Sequence, residues 1–198
     1  HGTSMREIAR EVGLHVATVQ QHVTSKELLY KEVFRRQYEY EYKVIQEILE
    51  KYKDLSDTLF TDIPLLKKVI GETWKEQFRR FAEMPYLERL WVYRLLENDE
   101  LALEIDREFS LPLYQIDIDL LEKARLEGTI SPDRIMMLLW MSGFAWLQMG
   151  YFTGRNLVKD LGEGDPWSPE MMQKYFEFID MYVDRMIDLN PINKDKGE

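Results

Sequence analysis

The fold is decided by residues 3–29, Thr3-Ser4-Met5-Arg6-Glu7-Ile8-Ala9-Arg10-Glu11-Val12-Gly13-Leu14-His15-Val16-Ala17-Thr18-Val19-Gln20-Gln21-His22-Val23-Thr24-Ser25-Lys26-Glu27-Leu28-Leu29. Met5, Ile8, Ala9 and Val12 recur at helical spacing and share one helix face. Ser4 or Thr3 precedes that face as an N-cap, and Glu7 stands three residues after Ser4 as its reciprocal capping partner. Gly13 then stops the helix, because glycine enters the left-handed region without a Cβ penalty. A second short helix is expected from Val16 to Val23, with Val19 and Val23 inward, and Ser25 caps a third, long helix starting at Lys26. A small residue at the contact (Ala9), a turn glycine (Gly13) and an apolar anchor (Val19) are what a helix-turn-helix needs. Ile8, Val12 and Leu14 are expected to supply apolar contacts around the turn.

The charge distribution bears on that reading. The 198 residues hold 26 Lys and Arg against 36 Asp and Glu, a net charge of −10, which as a whole argues against a general polyanion binder. Residues 1–36, however, hold six basic and four acidic side chains, a net charge of +2. The other residues hold twenty basic and thirty-two acidic ones, a net charge of −12. The acidity belongs to the body, and the N-terminal unit has the local basic surplus that phosphate contacts require.

The remainder reads as helix nearly throughout, so the expected class is all-α. The third helix runs from Lys26 to Tyr52, and Asp54-Leu55-Ser56-Asp57 breaks the chain. Pro64 starts the next helix and Pro85 ends it. Asn98-Asp99 opens another, which Pro112 kinks or restarts and Gly128 ends. Ser131-Pro132-Asp133 starts an apolar helix over Ile135–Phe152, which reads as buried core because it is short for a bilayer span and contains Ser142 and Gln148. Thr153–Trp167 reads as a loop, Ser168-Pro169-Glu170 starts the last long helix, and a polar tail begins at Asn190.

The run from Thr3 to Leu14, together with Thr18 and Ser25-Lys26-Glu27-Leu28-Leu29, resembles the signature of the tetracycline-repressor (TetR) family over residues 1–34. The rest of the chain resembles that family in helix pattern. The resemblance implies an all-helical homodimer, with a DNA-binding domain at 1–36 and a ligand-binding and dimerisation domain at 37–198. It implies binding to a palindromic double-stranded DNA operator, usually as a repressor released by a small molecule, in the cytoplasm. Many members carry Tyr where Gln20 stands and Phe where Val23 stands. They also have one more helix before Gly2, so a missing first helix is expected to leave Ile8, Val19 and Val23 partly uncovered.

Val16, Ala17, Thr18, Gln20, Gln21 and His22 include the outward positions of the second helix, with His15 just ahead of it. Gln21 can read adenine through its amide, and Val16 and Ala17 can touch thymine methyl groups. Thr18 and His22 can reach phosphates or base edges, and Thr3 and Ser4 lie at a helix N-terminus, which favours a phosphate. Lys26 resembles the family lysine that meets the DNA backbone.

In the body, Trp74, Phe78, Trp91, Tyr114, Met137, Met141 and Phe144 are candidates for the walls of a cavity that takes a largely apolar effector. Ordinary core packing is the competing reading of each. Asp117 or Glu122 can orient a cationic ligand there. Met172, Phe176, Ile179, Val183 and Met186 form a stripe on the last helix that is expected to meet a second copy of the chain.

Catalysis is not expected. Cysteine is absent, and histidine occurs only as His1, His15 and His22, so thiolate zinc and imidazole-rich metal sites are not anticipated. Asp117-Ile118-Asp119 splits its carboxylates between helix faces, and no nucleotide loop or nucleophile elbow occurs. No cofactor, metal or membrane partner is called for. A protein-interaction module, or a small-molecule-binding protein that has lost operator recognition, is the alternative function.

Overall fold

The computed structural model describes residues 3–84, 86–97, 99–153 and 159–188. Pro85, Asn98, part of the Thr153–Trp167 loop and the tail from Asn190 lie outside the described residues. Among the described residues the chain is all-helical, without strands.

Helix α1 (Met5–Glu11) has the reciprocal cap expected of Ser4 and Glu7. It ends in a Schellman motif: Gly13, at φ 69°, donates to the Arg10 carbonyl at 3.1 Å, and Leu14 donates to the Ala9 carbonyl at 2.8 Å. Helix α2 (Val16–His22) packs against α1. Helix α3 (Lys26–Lys51) starts on the Ser25 hydroxyl, which accepts from the Leu28 amide at 3.2 Å.

A 3-10 turn (Lys53–Leu55) and the short helix α4 (Ser56–Leu59) fill the break that follows. Helix α5 (Ile63–Glu83) has Asp62 as its N-cap and Pro64 in its first turn. Helix α6 (Leu87–Leu96) precedes α7 (Glu100–Ile105), which Asp99 caps by accepting from the Ala102 amide at 2.8 Å. Pro112 was expected to kink or restart the next helix. Its missing N–H and its ring disturb the turn before it. The backbone widens into a π turn over Asp106–Ser110 and runs on as α8 (Leu111–Leu126). Gly128, at φ 73°, closes α8 with the same motif that ends α1. Asp133 caps α9 (Arg134–Thr153), Lys159–Glu163 forms one π turn, and Ser168 caps α10 (Pro169–Asp188).

The main core lies among α5, α8, α9 and α10. Phe78 stacks on Tyr175 at 3.9 Å between centroids, and Trp74 stacks on Phe144 at 4.1 Å. Ion pairs from Lys67 to Asp184 (3.2 Å) and from Lys75 to Asp180 (2.5 Å) border the α5–α10 contact. A second cluster joins Phe34 of α3 to Trp91, Ile105 and Phe109 and fixes α3 to the body. Lys31 adds to that join, reaching Glu104 at 2.8 Å and Glu108 at 2.7 Å.

The stripe expected to meet a second copy turns inward. Ile179, Val183 and Met186 are buried within the chain, and Met172 and Phe176 pack against the same core. Their spacing is that of a core face, and α5 occupies it. The exposed apolar side of this region is formed instead by Ile135, Leu139 and Trp146 on α9 and by Met181 on α10.

Candidate functional site

At the N-terminal end, Thr3, Ser4, His15, Ala17, Gln20, Gln21, His22 and Lys26 are exposed, while Val16 and Thr18 are half-buried. Ala9 is buried against α2, whereas Ile8, Val19 and Val23 are only partly covered. Val12 and Leu14, expected to pack around the turn, are 59% and 50% exposed.

Ser4 is occupied locally. Its backbone N–H and its hydroxyl donate to the Glu7 carboxylate at 2.6 and 2.9 Å, and those bonds hold Glu7 below the usual carboxylate range. That ionised group stands where a phosphate was expected, so Ser4 is the weakest of the proposed DNA contacts.

The basic surplus is also more local than the sum for residues 1–36 implies. Lys31 pairs with Glu104 and Glu108. Arg35 pairs with Glu32 and Glu39, and Arg36 with Glu32. Arg6, Arg10 and Lys26 have no ion pair among the described residues and are exposed. These three are the cations available to a polyanion at this end.

In the body, one cavity of about 100 Å³ lies where α3, α5, α6, the π turn, α8 and α9 meet. Trp74, Trp91, Tyr114, Met141 and Phe144, candidates from their residue types, all line it. Phe78 and Met137 do not; both are fully buried in the neighbouring core. Asp117 reaches the cavity wall, whereas Glu122 pairs with Arg125 at 2.5 Å and does not.

Sequence reasoning missed Glu41, which lines the same cavity and is buried. Phe34, Gln37, Glu41 and Ile45 form the buried stripe of α3, and the spacing alone places Glu41 on that face. Gln37 donates a hydrogen bond to it. Burial pushes the Glu41 carboxyl up to about 7, against the hydrogen bond from Gln37 and the more distant Arg80 charge. Burial, and then the Glu41 charge, push Asp117 up to about 7 as well. Two carboxyl groups from different helices therefore share one low-polarity space.

The opposite polarity is present too. The Trp91 indole N–H and the Gln148 amide nitrogen are buried donors without a partner among the described residues, and both residues line the cavity. The rear of the Trp91 ring is tightly held. Phe34 meets it edge-on at 4.9 Å, Tyr30 meets Phe34 at 5.1 Å, and the Arg94 guanidinium lies 4.9 Å from the Trp91 centroid. Arg94 is itself buried and bonded to Asp106, which accepts a further bond from Ser110 at 2.9 Å.

Among the described residues there is no cluster of three or more potential metal ligands, and no helix is long and apolar enough to cross a membrane. No family model matches the chain, and no curated protein matches it.

Proposed function

We propose that the protein is a ligand-responsive, DNA-binding transcriptional regulator of the tetracycline-repressor type, a repressor acting as a homodimer on a palindromic operator. The observation that carries this reading is the double duty of α3. It begins at Lys26, beside the helix-turn-helix, and fifteen residues later presents Glu41 to the cavity. At a rise of about 1.5 Å per residue, those two points are roughly 22 Å apart on one rigid element.

In the proposed mechanism α2 enters the major groove with Gln20, Gln21 and His22 outward, and Lys26 and Arg10 meet phosphates. An effector in the cavity displaces Trp91 or Glu41, and α3 tilts. The chain of rings from Trp91 through Phe34 to Tyr30 provides a packed route for that tilt towards the reader. The effector acts only to the extent that it binds the tilted state more tightly than the DNA-competent state.

The homodimer is supported by the exposed stripe of α9. Ile135, Leu139 and Trp146 lie at helical spacing and are 70%, 60% and 55% exposed, with Met181 of α10 at 64%. A second copy of the same face gives the two-fold symmetry that a palindromic site requires.

A pull of fragmented genomic DNA with the purified protein tests the proposal. Enrichment of one palindromic site, with half-sites about one helical turn or a multiple apart, is expected. Absence of any enriched site refutes it. That result favours the second reading, a protein-interaction module, for which the pairing of Lys31, Arg35 and Arg36 with acids is the motivating observation.

A further inference from the structure

We propose that the cavity takes an organic cation that also offers a hydrogen-bond acceptor, its positive head group held between Glu41 and Asp117 and faced by the rings of Trp74, Trp91 and Phe144. This rests on reading the cavity as the effector site and names the chemical class of the effector.

The two carboxylates come from α3 and α8 and meet at one mostly apolar space, yet among the described residues no cation forms an ion pair with either. The basic groups nearest to them are committed elsewhere. Arg94 is bonded to Asp106. Arg80 lies over the Tyr40 ring at 3.8 Å and reaches Glu83 at 3.9 Å. Gln37 gives Glu41 one neutral donor, and Asp117 has no donor among the described residues.

Ionising either carboxyl group in this space without a cation is costly, and ionising both costs more because they repel. A cation entering between them relieves both terms. The aromatic walls add to its attraction, since ring faces are negative. An anion is repelled by both carboxylates, and a neutral ligand leaves them as they were. The unpartnered donors of Trp91 and Gln148 require an acceptor, which a plain alkylammonium lacks and an amino alcohol or amino ether has. The cavity is small, at about 100 Å³, and opens to solvent, so it takes a compact head group rather than a fused ring system.

Choline and its neutral carbon analogue 3,3-dimethylbutan-1-ol have nearly the same shape and the same hydroxyl, and differ in charge. Binding of each to the purified protein is measured by calorimetry and by intrinsic tryptophan fluorescence, to which Trp74 and Trp91 contribute with three other tryptophans. Choline is expected to bind at least about tenfold more tightly than the alcohol. In the double variant Glu41→Gln with Asp117→Asn that preference is expected to vanish through loss of choline affinity. Affinity for the alcohol, retained, shows that the variant's cavity is intact.

Equal or tighter binding of the alcohol to the original protein overturns the proposal. So does choline affinity that survives the double substitution, and so does failure of both probes to bind. The regulatory reading is separated by measuring DNA affinity in the same samples. Choline that binds as expected but leaves DNA affinity unchanged supports the cation site and counts against its use as an effector site. DNA release by the alcohol, without a response to choline, keeps the effector site and overturns its cation preference.

Discussion

Glu41→Gln is expected to stabilise the protein, and to do so much more at pH 8 than at pH 5. The Glu41 carboxyl has an ordinary value of 4.5 and is raised to about 7 in the folded chain, chiefly by burial. The folded state therefore holds its proton more tightly than the unfolded state does. Stability from this group is complete below the unfolded value and is lost as pH rises through the range from 4.5 to about 7. At 1.36 kcal/mol for each tenfold change, the full loss is about 3 kcal/mol, reached at pH 8, whereas at pH 5 it is about 1 kcal/mol. Glutamine carries no charge at either pH and keeps an oxygen for Gln37. The stability gain of the variant should thus grow by about 2 kcal/mol between the two conditions. Urea unfolding of both proteins at both pH values measures it, with the m-value checked for constancy. Arg80 on α5, Arg94 on α6, Asp106 in the π turn, and Tyr114 and Asp117 on α8 are the other charged or titratable groups near Glu41; none is substituted in the variant, and loss of the Glu41 charge lowers Asp117 and Tyr114. Asp117→Asn added to Glu41→Gln should gain less than it does alone, because the repulsion it relieves has already gone. A stability difference between the proteins that is the same at pH 5 and pH 8, or that favours the original at pH 8, refutes the argument.

Phe34→Ala removes a fully buried ring that contacts Tyr30 and Trp91, and should cost about 3–5 kcal/mol in chemical unfolding; a loss under 1 kcal/mol means that α3 is not fixed to the body through it. Gly13→Ala meets no atom within 4 Å, so its cost is that of positive φ alone, about 1–2 kcal/mol by thermal or urea unfolding. An unchanged stability there indicates that the turn has another conformation. Trp146→Glu should turn a dimer into a monomer in sedimentation with helical circular dichroism retained, whereas Ile179→Glu, in the core, should unfold the chain. Dimers that persist in Trp146→Glu place the interface elsewhere.

Local punctuation was legible in the sequence because it rests on local chemistry. Ser4 with Glu7, Gly13, Ser25, Asp99, Gly128 and Asp133 all sit at the helix ends their side chains or backbone freedom favour. What failed was the assignment of faces to partners. The stripe from Met172 to Met186 is apolar at helical spacing whether α5 or a second copy covers it, and only the packing of the chain decides that α5 does. The exposed stripe of α9 was hidden for a related reason: that helix is apolar nearly all round, so periodicity does not separate its inner from its outer side.

The cavity was half legible. Aromatic and Met residues announced Trp74, Trp91, Tyr114, Met141 and Phe144, but the same chemistry suits Phe78 and Met137, which are plain core. Glu41 stayed hidden because a glutamate is rarely buried and the apolar stripe through Phe34, Tyr38 and Ile45 does not include it. Its distance from Phe34 and Ile45 was the signal that placed it inside. The loss of Lys31 from the basic patch was beyond the sequence, since Glu104 and Glu108 lie more than seventy residues away, whereas Arg35 and Arg36 pair with Glu32 and Glu39 at helical spacing that the sequence carries.

The central claim, that this chain grips the DNA backbone at the start of α3, is tested most directly by titrating a duplex across a range of salt concentrations with the original protein and with Lys26→Glu. Lys26 is exposed and belongs to the small set of cations without an ion pair among the described residues. The account predicts that the variant binds every duplex more weakly, and that its salt slope falls by about one for each protomer. Equal affinity and equal slope for the two proteins across the titration contradicts it.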